Sequence, residues 1–327
     1  MGTSVYKLAY SERAKLFCVL SLADSRYSAV VTLLSAYRSV CSGSRGLKWG
    51  LALSLRMQQQ RAFPLLPRYA LRAKNRVLKE RLMLLASTGI SRLNVNLNAA
   101  EFVGRDWGGG IDSLTQYARA LGIVVMSRQH VVPAHTVGRF QPAELPPALI
   151  LCVHSVMCYG LRDTLAPVYR CKDFSHLVQA LRVERQRRKV WCYPETAYWV
   201  TFDNRVPVWL LSYLCSRWED MQEVESLVEG HLTFSSGWDV RYGLFDWSAA
   251  RWSGRYHHDG RPAYTGREEG LLRLCGGDTA VWRQLVRFQD SVLVGKDVLS
   301  YITPTTPIDE ISWRWLPAFQ PRLAIPP

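Results

Sequence analysis

Glu195 ends an apolar run, Lys189 to Tyr193, and stands in Tyr193-Pro194-Glu195-Thr196 with Trp191, Tyr198 and Trp199 close by in the chain. A carboxyl in apolar company keeps its proton nearer to neutrality and can act as a general acid, whereas hydrogen bonds to its ionised form make it a nucleophile or base. A strand-end or N-cap acceptor role accounts for the same residue equally well. Glycoside hydrolysis needs a second carboxylate, about 5 Å away for retention or roughly 6.5 to 9.5 Å away for inversion. Glu101, Asp203, Asp239 and Asp246 are the candidates, and for each one alone a structural ion pair is the simpler account. Sugar rings pack their C–H faces on aromatic planes, and their hydroxyls need amide and carboxylate partners. Residues 191–252 hold seven of the twelve Trp; Trp209 and Trp218 suit a helix core, and Trp238 suits a stacking platform.

These residues need elements to hold them. From about residue 90 short β-branched or aromatic runs alternate with helical stretches. The runs are Arg92 to Leu97, Ile123 to Arg128, Ala148 to Ser155, Lys189 to Tyr193 and His231 to Ser235, each fit for burial on both faces. This rhythm predicts an α/β fold with a parallel sheet, a barrel or partial barrel over residues 89–255. Helices are expected over Ile111 to Leu121, with Ser113 and Gln116 as a capping box and Gly122 as the stop, over Phe174 to Arg188, and over Pro207 to Val228. In such folds functional groups gather where strands end, because those loops open on one face. The strand ends carry Asn94, Asn96 and Asn98 with Glu101; Arg128, Gln129 and His130; His154; Tyr193, Glu195 and Tyr198; and Trp238 with Asp239.

The net charge of +14 is lopsided: residues 1–90 account for +12 of it. Residues 1–88 read as a basic, mainly helical segment in which only Gly46 to Leu55 suits a strand. Within it Arg68, Arg72, Arg76 and Lys79 form one helical stripe, with Leu71, Leu78, Leu82 and Leu85 on the other face. A transit peptide, a polyanion-binding arm and the solvated face of scaffold helices all fit this charge. No nucleic-acid motif accompanies it, so nucleic acid is not an expected partner. Residues 256–327 read as a polar loop, a helix from Asp278 to about Ser300, and a Pro-rich tail packed on the core.

No apolar stretch is long enough to span a membrane, and neither a myristoylation signal nor a secretory core is convincing; a cytoplasmic protein is expected, with organellar targeting by the basic N-terminus left open. The eight cysteines include no Cys-x-x-Cys pair and read as buried thiols. The histidines lack zinc-site spacing, so no metal or other cofactor is expected. Gly108 to Gly110 lacks the phosphate-binding patterns and reads as a flexible turn, and Ser235-Ser236-Gly237 lacks the nucleophile elbow.

Glu195 at one strand end, Trp238 at the next, and Asn98 with Glu101 three strands earlier resemble the late strands of (β/α)8-barrel glycoside hydrolases. Those enzymes carry a carboxylate on the seventh strand, a Trp on the eighth and Asn-Glu on the fourth. The likeness covers about residues 90–240 and departs in two ways: Asn98 and Glu101 are not adjacent, and the first three strands would have to come from residues 1–88. It implies a carbohydrate-active hydrolase with a glycan substrate. Glu195, Glu101 and Asp239 are then the catalytic candidates. Trp238, Tyr193, Tyr198, Asn98, Arg128, His130, His154 and Asp203 would bind substrate. The alternatives are a non-catalytic glycan- or polyanion-binding protein, and a degenerate barrel lacking its early strands.

Overall fold

A computed structural model describes residues 6–11, 17–21, 48–55, 65–66, 73–97, 108–131, 142–154, 160–162, 173–193, 211–234, 248 and 279–289. Its strands are β1 (Tyr6–Ser11), β2 (Phe17–Ser21), β3 (Lys48–Ser54), β4 (Arg92–Asn96), β5 (Val124–His130), β6 (Ile150–His154), β7 (Val190–Tyr193) and β8 (Gly230–Phe234). They close into one ring in sequence order, β8 pairing back with β1. Neighbours from β2 to β8 are parallel, whereas β1 runs antiparallel to both β2 and β8. Chain length explains the reversal. Only residues 12–16 separate β1 from β2, and a parallel crossover needs about a dozen residues or more.

All five strands expected from residue 90 onward are present, and so is the one foreseen within Gly46 to Leu55. The stretch read as mainly helical differs: its described residues hold three strands of the ring and one helix, α1 (Lys74–Ser87). The early strands, whose absence motivated a degenerate barrel, are therefore supplied by residues 1–88. β1 and β2 are short, and beyond their local pairing with each other their partners, β8 for β1 and β3 for β2, lie far along the chain. Local pattern carries little of that non-local pairing.

Helices α2 (Gly108–Ala120), α3 (Ser175–Glu184), α4 (Leu211–Val224) and α5 (Thr279–Gln289) complete the described elements, with a 3-10 turn at Pro142–Glu144. α1 packs on α2, α3 on β6 and β7, and α5 on α4. Leu78, Leu82 and Leu85 of α1 are fully buried, while Lys79 on its opposite face sits 4.7 Å from the Tyr117 ring of α2. The basic stripe is thus partly used in helix packing. α2 starts already at Gly108, so Ser113 lies inside the helix and does not cap it. The triple glycine is its first turn. A Cβ on the buried Gly110 would stand 3.0 Å from Leu66 Cδ1, a close approach that a side chain would obstruct. Gly122, at φ +72°, ends the helix as expected, and Ile123 N–H returns to Ala118 O at 2.9 Å.

Strand alternation splits the interior into two cores. Leu51, Leu53, Leu55, Leu93, Val95, Val125, Leu151 and Val153 face the helices in one aliphatic layer. Met126, Ile150, Cys152, Trp191, Tyr193 and Leu232 form the second, inside the ring, with Ala52 packed against them.

Candidate functional site

The inward positions of β4 to β7 carry the chemistry. Asn96, Arg128, Tyr193 and His154 are joined by contacts and form an upper tier; Asn94, Met126, Cys152 and Trp191 share the inward face as a lower tier, in which Cys152 is the register partner of Arg128 and Asn94 that of Met126. Each strand delivers its pair because residues two apart share a face.

Arg128 is the centre of the upper tier. Its Nε donates to Asn96 Oδ1, and its Nη1 donates to the Tyr193 hydroxyl at 3.3 Å. The guanidinium carbon lies 6.0 Å from the Tyr193 ring centre. Tyr193 is fully buried, and the His154 ring lies 4.3 Å from it, tilted by 46°. A planar cation is thus oriented by two neutral groups, and among the described residues no carboxylate pairs with it. Such a guanidinium can take a carboxylate or phosphate with two parallel bonds. His130 pairs with His154 in the backbone register of β5 and β6.

The lower tier is closed to solvent. Asn94, Met126, Cys152 and Trp191 are all at most 2% exposed. Below them Arg92 points its guanidinium at the Trp191 ring, 5.7 Å from its centre. Burial lowers the Arg92 pKa, an effect that nearby Cys152 partly opposes. Among the described residues neither amide atom of Asn94 has a hydrogen-bond partner.

The outward face holds a separate buried polar group. Cys192, opposite His231 in the β7–β8 pairing, is pushed up to about 12, chiefly by burial. Burial brings His231 down to about 4. Asp220 of α4 accepts the Leu161 N–H at 2.7 Å and pairs with Arg217 at 2.8 Å. Burial still raises its carboxyl to about 6, outweighing the nearby cation. Asp220 thus serves as a structural tie to the 160–162 segment.

At the opposite end, where β7 and β8 begin, a cavity of about 260 Å³ opens between Arg185, Arg188, Glu225 and Glu229. Its charges serve the scaffold. Arg185 donates to Ser226 O at 2.6 Å and Lys189 pairs with Glu229 at 2.9 Å. Arg188 pairs with Glu184 at 2.8 Å and donates to Leu145 O and Pro146 O.

Of the residues singled out in the sequence, Arg128, His154 and Tyr193 come together. Glu195, Glu101, Asp239, Asp203, Trp238, Tyr198 and Asn98 lie outside the described residues, as does Asp246. Cys152 and Cys192 are buried thiols, as expected. Asn96 and Asn94 were visible only as members of a polar strand end. The signal that distinguishes them is their even spacing on β4, opposite in phase to Leu93 and Val95. Arg92 gave no such signal, because an Arg at the start of a strand normally reads as exposed.

Among the described residues no helix is long and apolar enough to cross a membrane, and no group of three or more His, Cys, Asp or Glu side chains could hold a metal ion. In sequence the chain matches no family model and no curated protein. Solved structures with a remote likeness include a D-psicose 3-epimerase crystallised with D-fructose, at 11% identity and a TM-score of 0.35. That match covers 60% of this chain and 66%, just under two thirds, of the epimerase. A xylose isomerase domain protein from Planctomyces limnophilus matches at 14% identity and a TM-score of 0.38, over 68% of this chain and 82% of that one. A Thermobaculum terrenum O-GlcNAc hydrolase matches at 12% and 0.34, over 91% and 71%. The chain is an α/β protein whose curled, mainly parallel sheet closes on itself, and its likeness to these proteins is too distant to transfer an activity.

Proposed function

We propose that the protein is a carbohydrate-active enzyme that binds its substrate at the C-terminal mouth of the ring. The observation that carries this reading is the orientation of Arg128 by Asn96 and Tyr193, with His154 beside the same ring. A fixed cation beside a carboxamide matches the needs of a polyhydroxylated ligand bearing an anionic group: charge pairing and hydroxyl hydrogen bonds.

The hydrolytic form of this reading assigns proton donation to Glu195, two residues beyond Tyr193 in the chain. Glu101, which follows β4, or Asp239, which follows β8, supplies the second carboxylate. Trp238, Tyr198, Asn98, Asp203 and His130 complete the substrate contacts.

A panel of aryl glycosides, uronides included, tests it. The expected result is turnover that falls about a hundredfold or more in Glu195→Gln, with the circular dichroism and melting temperature of the parent. An unchanged rate removes Glu195 from the mechanism. Saturable, salt-insensitive glycan binding with no turnover favours a non-catalytic lectin-like protein instead. Binding that vanishes when residues 1–88 carry neutral replacements for Arg and Lys, and that falls steeply with salt, favours a polyanion-binding one.

A further inference from the structure

We propose that the exposed face of α5 is the docking surface for residues 308–315 of the same chain, a segment that lies outside the described residues. Apolar packing and charge pairing select that segment together, independently of the reading of the ring mouth.

Trp282, Leu285 and Val286 of α5 are partly buried and pack against the aliphatic outer layer. Val281 and Phe288, seven residues apart and so on one side of the helix, are 59% and 60% exposed. A single exposed apolar side chain needs no explanation. Two in line, about 10.5 Å apart along the axis, make an edge that a chain segment can lie along. Arg283 and Arg287, one turn apart, are also exposed, and Ala280 and Gln284 stand between the two stripes around the helix. Thr279–Gln289 contains no acidic residue, so the exposed arc is apolar on one flank and cationic on the other.

Residues 290–327 continue directly from the end of this helix, and within them 308–315 reads Ile-Asp-Glu-Ile-Ser-Trp-Arg-Trp, bracketed by Pro307 and Pro317. In an extended segment Ile311, Trp313 and Trp315 share one side over about 13 Å, a length that suits the edge formed by Val281 and Phe288. Asp309 and Glu310 stand directly before that apolar run and complement the two exposed arginines, which fixes the register of the pairing. Eight residues between prolines have no core of their own, so their indoles gain most on a ready-made apolar surface. Residues 290–307 reach roughly 60 Å at full extension, several times the length of α5, so the segment can return along the helix. A second copy of the chain offers the same segment, but the tethered one acts at an effective concentration of about millimolar.

Hydroxyl-radical footprinting of the full chain, which reads the solvent access of single side chains, tests the assignment. In the wild type Trp313 and Trp315 are expected to label about tenfold more slowly than in a free peptide of residues 308–315. Val281→Asp combined with Phe288→Asp is expected to raise them to the peptide rate while Trp191, buried in the ring, stays slow. Arg283→Glu with Arg287→Glu is expected to speed their labelling about threefold or more, and adding Asp309→Lys with Glu310→Lys to restore protection. That rescue requires the two charge pairs to meet. Should the aspartate pair also expose Trp191, the charge exchange decides. Labelling of the wild type at the peptide rate overturns the proposal, as does protection that survives the aspartate pair, or charge reversal without rescue. Protection that falls on dilution, together with a dimer in light scattering that the aspartate pair dissociates, overturns it in favour of a second copy of the chain.

Discussion

The two faces of the same strands do opposite work. On β4, Leu93 and Val95 point outward and are fully buried against helices, while Arg92, Asn94 and Asn96 point into the ring. On β6, Leu151 and Val153 face outward; Cys152 and His154 face inward. The outer layer is aliphatic and close-packed, so it supplies stability, at about 1.5 to 3 kcal/mol for each fully buried Leu or Val. The inner layer keeps polar groups that a stability-driven core would exclude. A period of two in the sequence is enough to assign both tasks to one strand, since a one-residue slip would exchange them.

The sharpest way to break this contrast is to damage the outer layer. Leu151→Ala removes a side chain with no solvent exposure and is expected to lower unfolding free energy by about 2 to 5 kcal/mol in urea titration. Glu184→Ala strands the buried Arg188 guanidinium, whose side chain is wholly inaccessible, and is expected to cost a similar 3 to 5 kcal/mol or so. Arg128→Gln, on the inner face, should change stability far less while abolishing ligand binding. If both faces respond alike, the division of labour is wrong.

Acid probes the polar group on the outer face. His231 ordinarily titrates near 6.5 but is held at about 4 when folded, so the unfolded chain takes its proton first as pH falls. Its contribution is therefore complete above pH 6.5 and is lost between there and about 4. Asp220 runs the other way. Its folded carboxyl is raised from 3.8 to about 6, so stability from this group declines as pH rises across that window. Replacing the imidazole isolates the first effect: the loss of unfolding free energy between pH 7 and pH 5 should be about 2 kcal/mol smaller in His231→Gln than in wild type.

Smaller effects sharpen the comparison within the ring. A Cβ at Gly50 would lie 2.7 Å from the Arg92 carbonyl oxygen, a backbone contact with little room to yield. Gly50→Ala is expected to cost about 1 to 3 kcal/mol by forcing β3 away from β4. At the bottom of the scale, Arg76 and Glu80 on α1 are mostly exposed and stand 3.8 Å apart, so Arg76→Ala should change the unfolding free energy by less than about 0.5 kcal/mol. A larger change would mean that Arg76 itself has a further partner in the fold.

The strands from β4 onward were legible because each is a run of β-branched or aromatic residues bounded by helix or turn signals. Helix α2 was legible at its end, where Gly122 stops it, and not at its start, because the close approach of Gly110 to Leu66 is a tertiary fact. In the site, Arg128, His154 and Tyr193 were legible as polar or aromatic ends of apolar runs. The different surroundings of Asn94 and Asn96 were not, since a carboxamide looks the same whether or not it has a partner.

By itself the sequence determined the strand and helix alternation after residue 90, the phase of apolar residues along each strand, and the shortness of the link between Tyr6–Ser11 and Phe17–Ser21. Those properties are local, written in spacing over a few residues. Only the tertiary structure decided that the early basic stretch would close the ring, with Lys7 opposite Phe234. It also decided which inward groups would meet across neighbouring strands. Both outcomes depend on contacts between segments far apart in the chain, and a linear pattern carries no distance between them.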